Sequence, residues 1–315
     1  MTAYNPFKEF ANRVANLYVV HPRVNEIWEM FDSKRVMNQA KESKTTYSHY
    51  FLMGVSGVGK TMLCEKYTEK NSGYVHIEDD GTEIDIKPVI YLNLPHPFTV
   101  LEFYHSIVKA LGAPRLPGRP LIGEVKTQAF HLLETQRVEM LILDEIDHIR
   151  RTRNMAKEDA MEAIKHVANA GKITLVCVGT PDVDELRKLD PQYRKRFSPI
   201  RLDRFKACDA KFLQFLSLIE EQLDPPYPVG LADDSTSLPL ALHQYSFGRS
   251  GYLVQALQEA YRILGVYNPD FNNFSGLQLS GAILKRAFQN VLGDLTDKER
   301  KAMLEEDLKQ ETDDK

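Results

Sequence analysis

The sequence predicts an α/β protein, a doubly wound five-stranded parallel sheet followed by a smaller helical domain. Three observations lead there. A glycine-rich loop lies between an apolar run and a helical pattern, five short apolar runs alternate with helical stretches, and strand signals stop after Phe205. Strands that alternate with helices build a parallel sheet covered on both faces.

Local pattern supports each element. Residues 47–53 form a β-rich run that ends at Gly54, and from Thr61 a helix carries Met62, Leu63 and Tyr67. Further apolar runs occupy 89–94, 140–143, 173–178 and 200–202. They are too short for buried helices and apolar on both sides, as central parallel strands are. Thr99, with Glu102 three residues on, reads as a capping box for a helix carrying Phe103, Ile107, Val108 and Leu111, which Gly112 and Pro114 end. Helices are expected over 121–135, 155–170 and 182–189. Between 74 and 86, two alternating stretches flank Asp80-Gly81, a strong hairpin signal. After Phe205, helices are expected over 209–223, 238–245, 252–264 and 279–292. Residues 296–315 are charge-rich and read as a solvated helix or a mobile tail. The domain reading is therefore an amino-terminal segment with a leading helix (1–46), the α/β domain (47–206), the helical domain (207–293) and a charged tail (294–315).

Composition narrows the function classes. Of the 315 residues, 43% are hydrophobic and 27% charged, ordinary globular proportions with ample material for a core. With 40 basic against 44 acidic residues, the formal charge of −4 does not advertise chain-wide polyanion binding, so any nucleic-acid contact needs a local patch. Cys64, Cys177 and Cys208 lie far apart, which argues against a disulfide framework and a zinc site and fits a reducing cytoplasm. No apolar run approaches the roughly 20 residues that cross a bilayer, and residues 1–10 lack a signal-peptide core. A soluble, cytoplasmic protein without a membrane partner is expected.

The chemistry concentrates in two stretches. Gly54-Val55-Ser56-Gly57-Val58-Gly59-Lys60-Thr61 matches the P-loop pattern at every fixed position, and Met62 follows it into the helix. Its glycines let backbone N–H groups turn in around phosphate oxygens, and the helix start adds partial positive charge. Lys60 is expected to reach the β- and γ-phosphates, and the Thr61 hydroxyl to ligate magnesium. Residues 140–145 form an apolar strand that ends in two acids. Asp144, at the strand tip, is placed to hold the magnesium hydration shell, and Glu145 to polarise the attacking water as general base. Thr180, at the end of the next strand, can sense the nucleotide state; the same threonine suits a cap for the helix that Pro181 opens. In a ring or filament, Arg196, in preference to Arg194, faces the neighbouring subunit's nucleotide; the alternative is an ordinary basic surface turn. The guanine-reading Asn-Lys-x-Asp pattern is missing from the sequence, which favours ATP. His21 and His148 lack metal-ligand spacing, and no Ser/His/Asp or Cys/His order stands out.

With these motifs the chain resembles the TniB/TnsC family, the AAA+ regulators of DNA transposition, including those of CRISPR-associated transposons. The similarity spans residues 15–290. It rests on GVSGVGKT at 54–61, VEMLILDEID at 138–147, LVCVGTPDVDEL at 175–186 and the pair Arg196-Phe197, with HPRVNEIWEMF at 21–31 similar to the family's helix before the P-loop. The resemblance implies Val19, Val20 and Pro22 near the adenine, and an AAA+ fold with a carboxy-terminal helical lid. It also implies ATP-dependent rings or helical oligomers on double-stranded DNA, a TniQ/TnsD-type targeting partner, recruitment of the transposase, and ATP acting as a switch. Candidate DNA contacts are Lys109, Arg115, Arg119, Lys126, Arg150, Arg151 and Arg153; a solvated face accounts for each equally well.

Two departures stand out. Many AAA+ lids offer a sensor arginine from a Gly-x-x-Arg-like turn, whereas here Arg249 sits out of register in Gly248-Arg249-Ser250-Gly251-Tyr252. The two ends also look variable. A replication-type helicase loader or initiator shares every nucleotide motif, and a signalling ATPase scaffold that never touches DNA is a third reading.

Overall fold

Runs with no polar alternation need apolar cover on both faces, and the five of this chain join one sheet. The computed structural model describes residues 5–41 and 47–305. In chain order the first elements are α1 (Pro6–Ala15), α2 (Pro22–Gln39), β1 (His49–Met53), α3 (Lys60–Lys70), β2 (Tyr74–Ile77), β3 (Glu83–Ile86) and β4 (Val89–Asn93). Then come α4 (Val100–Ala110), α5 (Ile122–Thr135), β5 (Met140–Asp144), α6 (Asp147–Arg151), α7 (Lys157–Gly171), β6 (Thr174–Gly179) and, after a short 3-10 turn, α8 (Asp184–Lys188), α9 (Pro191–Arg196) and β7 (Phe197–Arg201). Helices complete the described residues: α10 (Ala210–Leu223), α11 (Leu238–Ser246), α12 (Ser250–Ile263), α13 (Gly281–Leu292) and α14 (Asp297–Glu305).

The described residues divide into two units. One comprises those within 24–54 and 60–202; the other draws on those within 5–23, 55–59 and 203–305. In the first, the parallel sheet runs β4-β5-β6-β1-β7. Every residue of β1, β5 and β6 is buried, as strands covered on both faces must be. The register aligns Asn93 with Asp144, Leu143 with Cys177 and Met53 with Gly179, so the carboxyl ends of four strands finish together. That edge is where open α/β sheets place ligands. On the sheet pack Phe103, Ile107, Val125, Ile164 and Val167 from α4, α5 and α7. Helix α2 is fixed by polar contacts: the Trp28 indole N–H donates to the Leu63 carbonyl at 3.2 Å, and Arg35 donates to Glu139 at 2.6 Å.

The last strand starts at Phe197, three residues earlier than the apolar run suggests. It is an edge strand, so Pro199 interrupts no ladder on its open side. The hairpin forms as read, β2 against β3 with Gly81 at φ +85° in the turn. The capping box is half realised: Thr99 Oγ1 accepts from the Glu102 N–H at 3.2 Å, while the Glu102 carboxylate pairs with Arg115 at 2.7 Å.

In the second unit α1 joins α10–α13 around Phe10, Phe212, Leu253, Leu257, Tyr261 and Phe288. The Phe10 and Tyr261 rings meet edge to face at 5.3 Å. Arg13 Nε donates to the Leu223 carbonyl at 3.0 Å and so caps the end of α10. Among the described residues no helix is long and apolar enough to cross a membrane.

Candidate nucleotide site

In the α/β unit the site grows out of β5. Asp144 closes that strand with 3% exposure, and a buried carboxylate needs donors. It has three. Oδ2 accepts from the Thr61 hydroxyl at 2.7 Å and the Tyr91 hydroxyl at 2.9 Å, and Oδ1 accepts from the Glu145 N–H at 2.7 Å. Burial, and then the Asp144 charge, push the Tyr91 phenol well above its usual range, so it stays a donor. Glu145 is exposed and has φ +58°, a left-handed backbone that non-glycine residues adopt at a cost. Lys60, at the start of α3, donates to the Gly54 carbonyl at 2.6 Å. Burial lowers its pKa, and the nearby carboxylates Asp144, Asp147 and Glu145 oppose that shift.

Thr61 and Asp144 therefore present a hydroxyl and a carboxylate side by side. Oxygen donors of this kind suit a hard divalent cation that keeps part of its water, as magnesium does, and suit zinc poorly. Among the described residues no group of three His, Cys, Asp or Glu is arranged to hold a metal.

Asp147 is a buried acid that the sequence reading passed over. Its Oδ2 accepts from the Thr180 N–H at 2.8 Å and its Oδ1 from the Thr180 hydroxyl. The hydroxyl thus turns to Asp147 and does not cap the 3-10 turn behind it. Position 179 must be glycine for this, because a Cβ there would lie 2.7 Å from Asp147 Oδ2. Arg150 extends the network to Glu185 at 2.8 Å, Asp182 at 3.1 Å and Asp147 at 3.5 Å.

In the helical unit the middle of the loop, residues 56–58, is held through its carbonyls. Gly57 and Gly59 have φ of +81° and +90°, which glycine adopts freely. The Ser56 carbonyl accepts from Arg249 Nη1 at 3.0 Å, the Gly57 carbonyl from the Gly251 N–H at 2.8 Å and the Val58 carbonyl from the Ser250 hydroxyl at 2.8 Å. Arg249 is 1% exposed.

The remaining candidates fall as follows. Gly54, Val55 and Val58 are buried, Ser56, Thr61 and Met62 exposed. Val19 packs in the helical core, Val20 is half-buried, and Pro22 is exposed at the start of α2. Arg194 is exposed on α9, and Arg196 donates to Asn169 Oδ1 at 3.2 Å. Lys109, Arg115, Arg119, Arg151 and Arg153 are exposed. Arg115 pairs with Glu102, Arg150 with its three acids, and Lys126 lies 6.0 Å above the Phe130 ring.

A parallel sheet in this order, with a P-loop after β1 and an acidic strand tip on β5, defines the AAA+ class of P-loop ATPase fold. Solved structures agree. The Aeropyrum pernix ORC2 protein in ADPNP–ADP complexes is 15% identical, with 91% of this chain and 73% of that one covered at a TM-score of 0.55. Cdc6p from Pyrobaculum aerophilum is 15% identical, covering 91% and 72% at 0.60. Aeropyrum pernix ORC1 in complex with DNA is 15% identical, covering 89% and 69% at 0.58. At such identity the likeness concerns the fold. The family model described as Bacterial TniB protein matches residues 12–207, and the chain belongs to the TniB family. No curated protein matches it.

Proposed function

We propose that this protein is an ATP-hydrolysing switch that assembles as a ring or filament on double-stranded DNA and links target choice to transposase recruitment. The observation behind the ATPase reading is the Asp144 carboxylate, buried at the strand tip and bonded to the P-loop threonine at 2.7 Å. TniB membership supports the transposition setting, with a TniQ/TnsD-type protein and the transposase as partners.

In this reading the N–H groups of residues 54–61 surround the phosphates and Lys60 neutralises the β and γ oxygens. Glu145 accepts a proton from the attacking water, and Thr180 orients that water or reports the γ-phosphate. Arg196, with Arg194 beside it, reaches the nucleotide of a neighbouring subunit. Val19, Val20 and Pro22 border the adenine. Thr61 and Asp144 would hold magnesium, which would supply positive charge to the phosphate group when bound. With Arg115 and Arg150 engaged by acids within the chain, phosphate contacts of DNA fall mainly to Lys109, Arg119, Lys126, Arg151 and Arg153.

The replication-type alternative has the ORC and Cdc6 fold behind it, and the signalling scaffold differs by needing no DNA. Anisotropy of a labelled random duplex, with and without ATP and over a salt series, tests the DNA half. Binding should require ATP and weaken steeply with salt. Absence of binding would favour the scaffold. Sequence-specific, salt-tolerant binding would point to an initiator.

A further inference from the structure

The segment 248–252 is built to approach the phosphate loop from behind. Gly248 has φ +68° and a Cβ there would lie 1.9 Å from the Phe205 carbonyl oxygen, while the Phe205 N–H donates to the Gly248 carbonyl at 2.8 Å. This turn delivers Arg249, Ser250 and Gly251 onto three successive loop carbonyls. The approach leaves no room for side chains. A Cβ on Gly251 would lie 2.6 Å from the Gly57 carbonyl oxygen, and one on Gly57 would lie 2.5 Å from the Tyr252 ring. In a P-loop, carbonyls turned outward leave the N–H groups turned inward for phosphate. Donors on the outside therefore fix the orientation of the cradle.

Arg249 has a second attachment. Its Nη2 donates to the Met303 carbonyl of α14 at 2.9 Å. Arg204 Nη2 donates to the adjacent Leu304 carbonyl at 3.4 Å. One buried guanidinium thus joins the phosphate loop to α14.

We infer that Arg249 is a positioning residue that sets the phosphate loop from its carbonyl side, with α14 as its second anchor, so that docking of this helix tunes nucleotide affinity. This rests on the nucleotide reading of the loop. A partner that captured α14 would loosen the cradle without touching the nucleotide.

The test compares Arg249→Met, Arg249→Lys, Ala302→Pro and the pair Arg249→Met with Ala302→Pro in the full-length protein. Ala302 is exposed, so proline there breaks α14 without removing core packing. Two readouts are needed. Deuterium exchange of the Gly251 amide, measured without nucleotide, reports the clasp itself, because an N–H in the first turn of α12 has no intrahelical partner. Titration with a fluorescent ATP analogue reports affinity.

Arg249→Met should raise both exchange and Kd about tenfold, the equivalent of roughly 1.4 kcal/mol. Ala302→Pro should raise both by a smaller factor, Arg249→Lys should fall between wild type and Arg249→Met, and the double variant should match Arg249→Met. Faster exchange with unchanged affinity would overturn the inference, as would wild-type behaviour of Ala302→Pro. If the wild-type protein binds no adenine nucleotide, the functional reading fails, yet the exchange series still decides whether the clasp exists. Should Arg249→Met not fold, Arg249→Lys and Ala302→Pro carry the test.

Discussion

The two units hold their candidate site residues in different ways. In the α/β unit, chemistry-bearing side chains stand at the ends of buried strands: Asp144 closes β5, and Thr180 follows β6. In the helical unit, the Ser56, Gly57 and Val58 carbonyls accept from Arg249, Gly251 and Ser250. The difference separates identity from conformation. Replacing a carboxylate in the first unit removes a chemical group, whereas replacing a donor in the second changes how well a chemically intact loop is presented.

The largest expected effect sharpens that contrast. Glu145 is exposed and bonded through its backbone, the N–H to Asp144 and the carbonyl from the His148 N–H, so Glu145→Gln should leave the fold and nucleotide binding intact. Hydrolysis should fall on the order of 10²–10³-fold, within the range a positioned general base supplies. Phosphate release at saturating ATP measures it. Turnover within a few-fold of wild type would remove Glu145 from the chemistry. Variants at Arg249 should instead act on affinity.

The second effect concerns stability and belongs to the α/β unit alone. His49 lies wholly buried in β1, its Nδ1 accepting from the Leu175 N–H at 3.2 Å and its ring 4.8 Å from Phe197. Burial, followed by the positive charges of Arg196, Lys34 and Lys41, lowers its pKa to about 3. The native imidazole is neutral where the unfolded one, with its ordinary value of 6.5, takes a proton. Stability is therefore complete above pH 6.5 and falls as pH drops from there towards 3, by roughly 3 kcal/mol at pH 4. Denaturant melts at pH 7 and pH 4 should show this loss, and His49→Asn, which keeps an acceptor but cannot charge, should flatten it. An equal loss in the variant would assign the acid sensitivity elsewhere.

The same contrast explains what the sequence made legible. The five strands, the hairpin and most helices follow from short-range pattern, because apolar runs and Asp80-Gly81 act on their immediate neighbours. The AAA+ class and the TniB family were readable for the same reason, since their motifs are contiguous. What stayed hidden depends on residues far apart. Nothing local marks Tyr91 as a donor to Asp144, which it meets across neighbouring strands, or Asp147, which opens α6, as the acceptor for Thr180 just past β6. Arg249 looked misplaced for a phosphate sensor; its partners are carbonyls, which carry no sequence signature. Helix α1 joins the helical unit from the opposite end of the chain, so no local pattern assigned it there. The left-handed backbone at Glu145 is likewise silent in the sequence.

The smallest effect tests whether side-chain anchoring in the α/β unit is as local as its geometry suggests. Asp147→Ala removes the acceptor of both the N–H and the hydroxyl of Thr180. Arg150 keeps Asp182 and Glu185, so the surface end of the network survives. Thr180→Val removes only the hydroxyl and leaves the N–H bonded to Asp147. An unsatisfied buried group costs about 1–3 kcal/mol, so Asp147→Ala should lie in that range and Thr180→Val below it. If Thr180 acts on the water, both variants should slow phosphate release while the Kd for nucleotide stays near wild type. A Kd shift as large as that of Arg249→Met would break the distinction, because the α/β carboxylates would then be setting the loop as well.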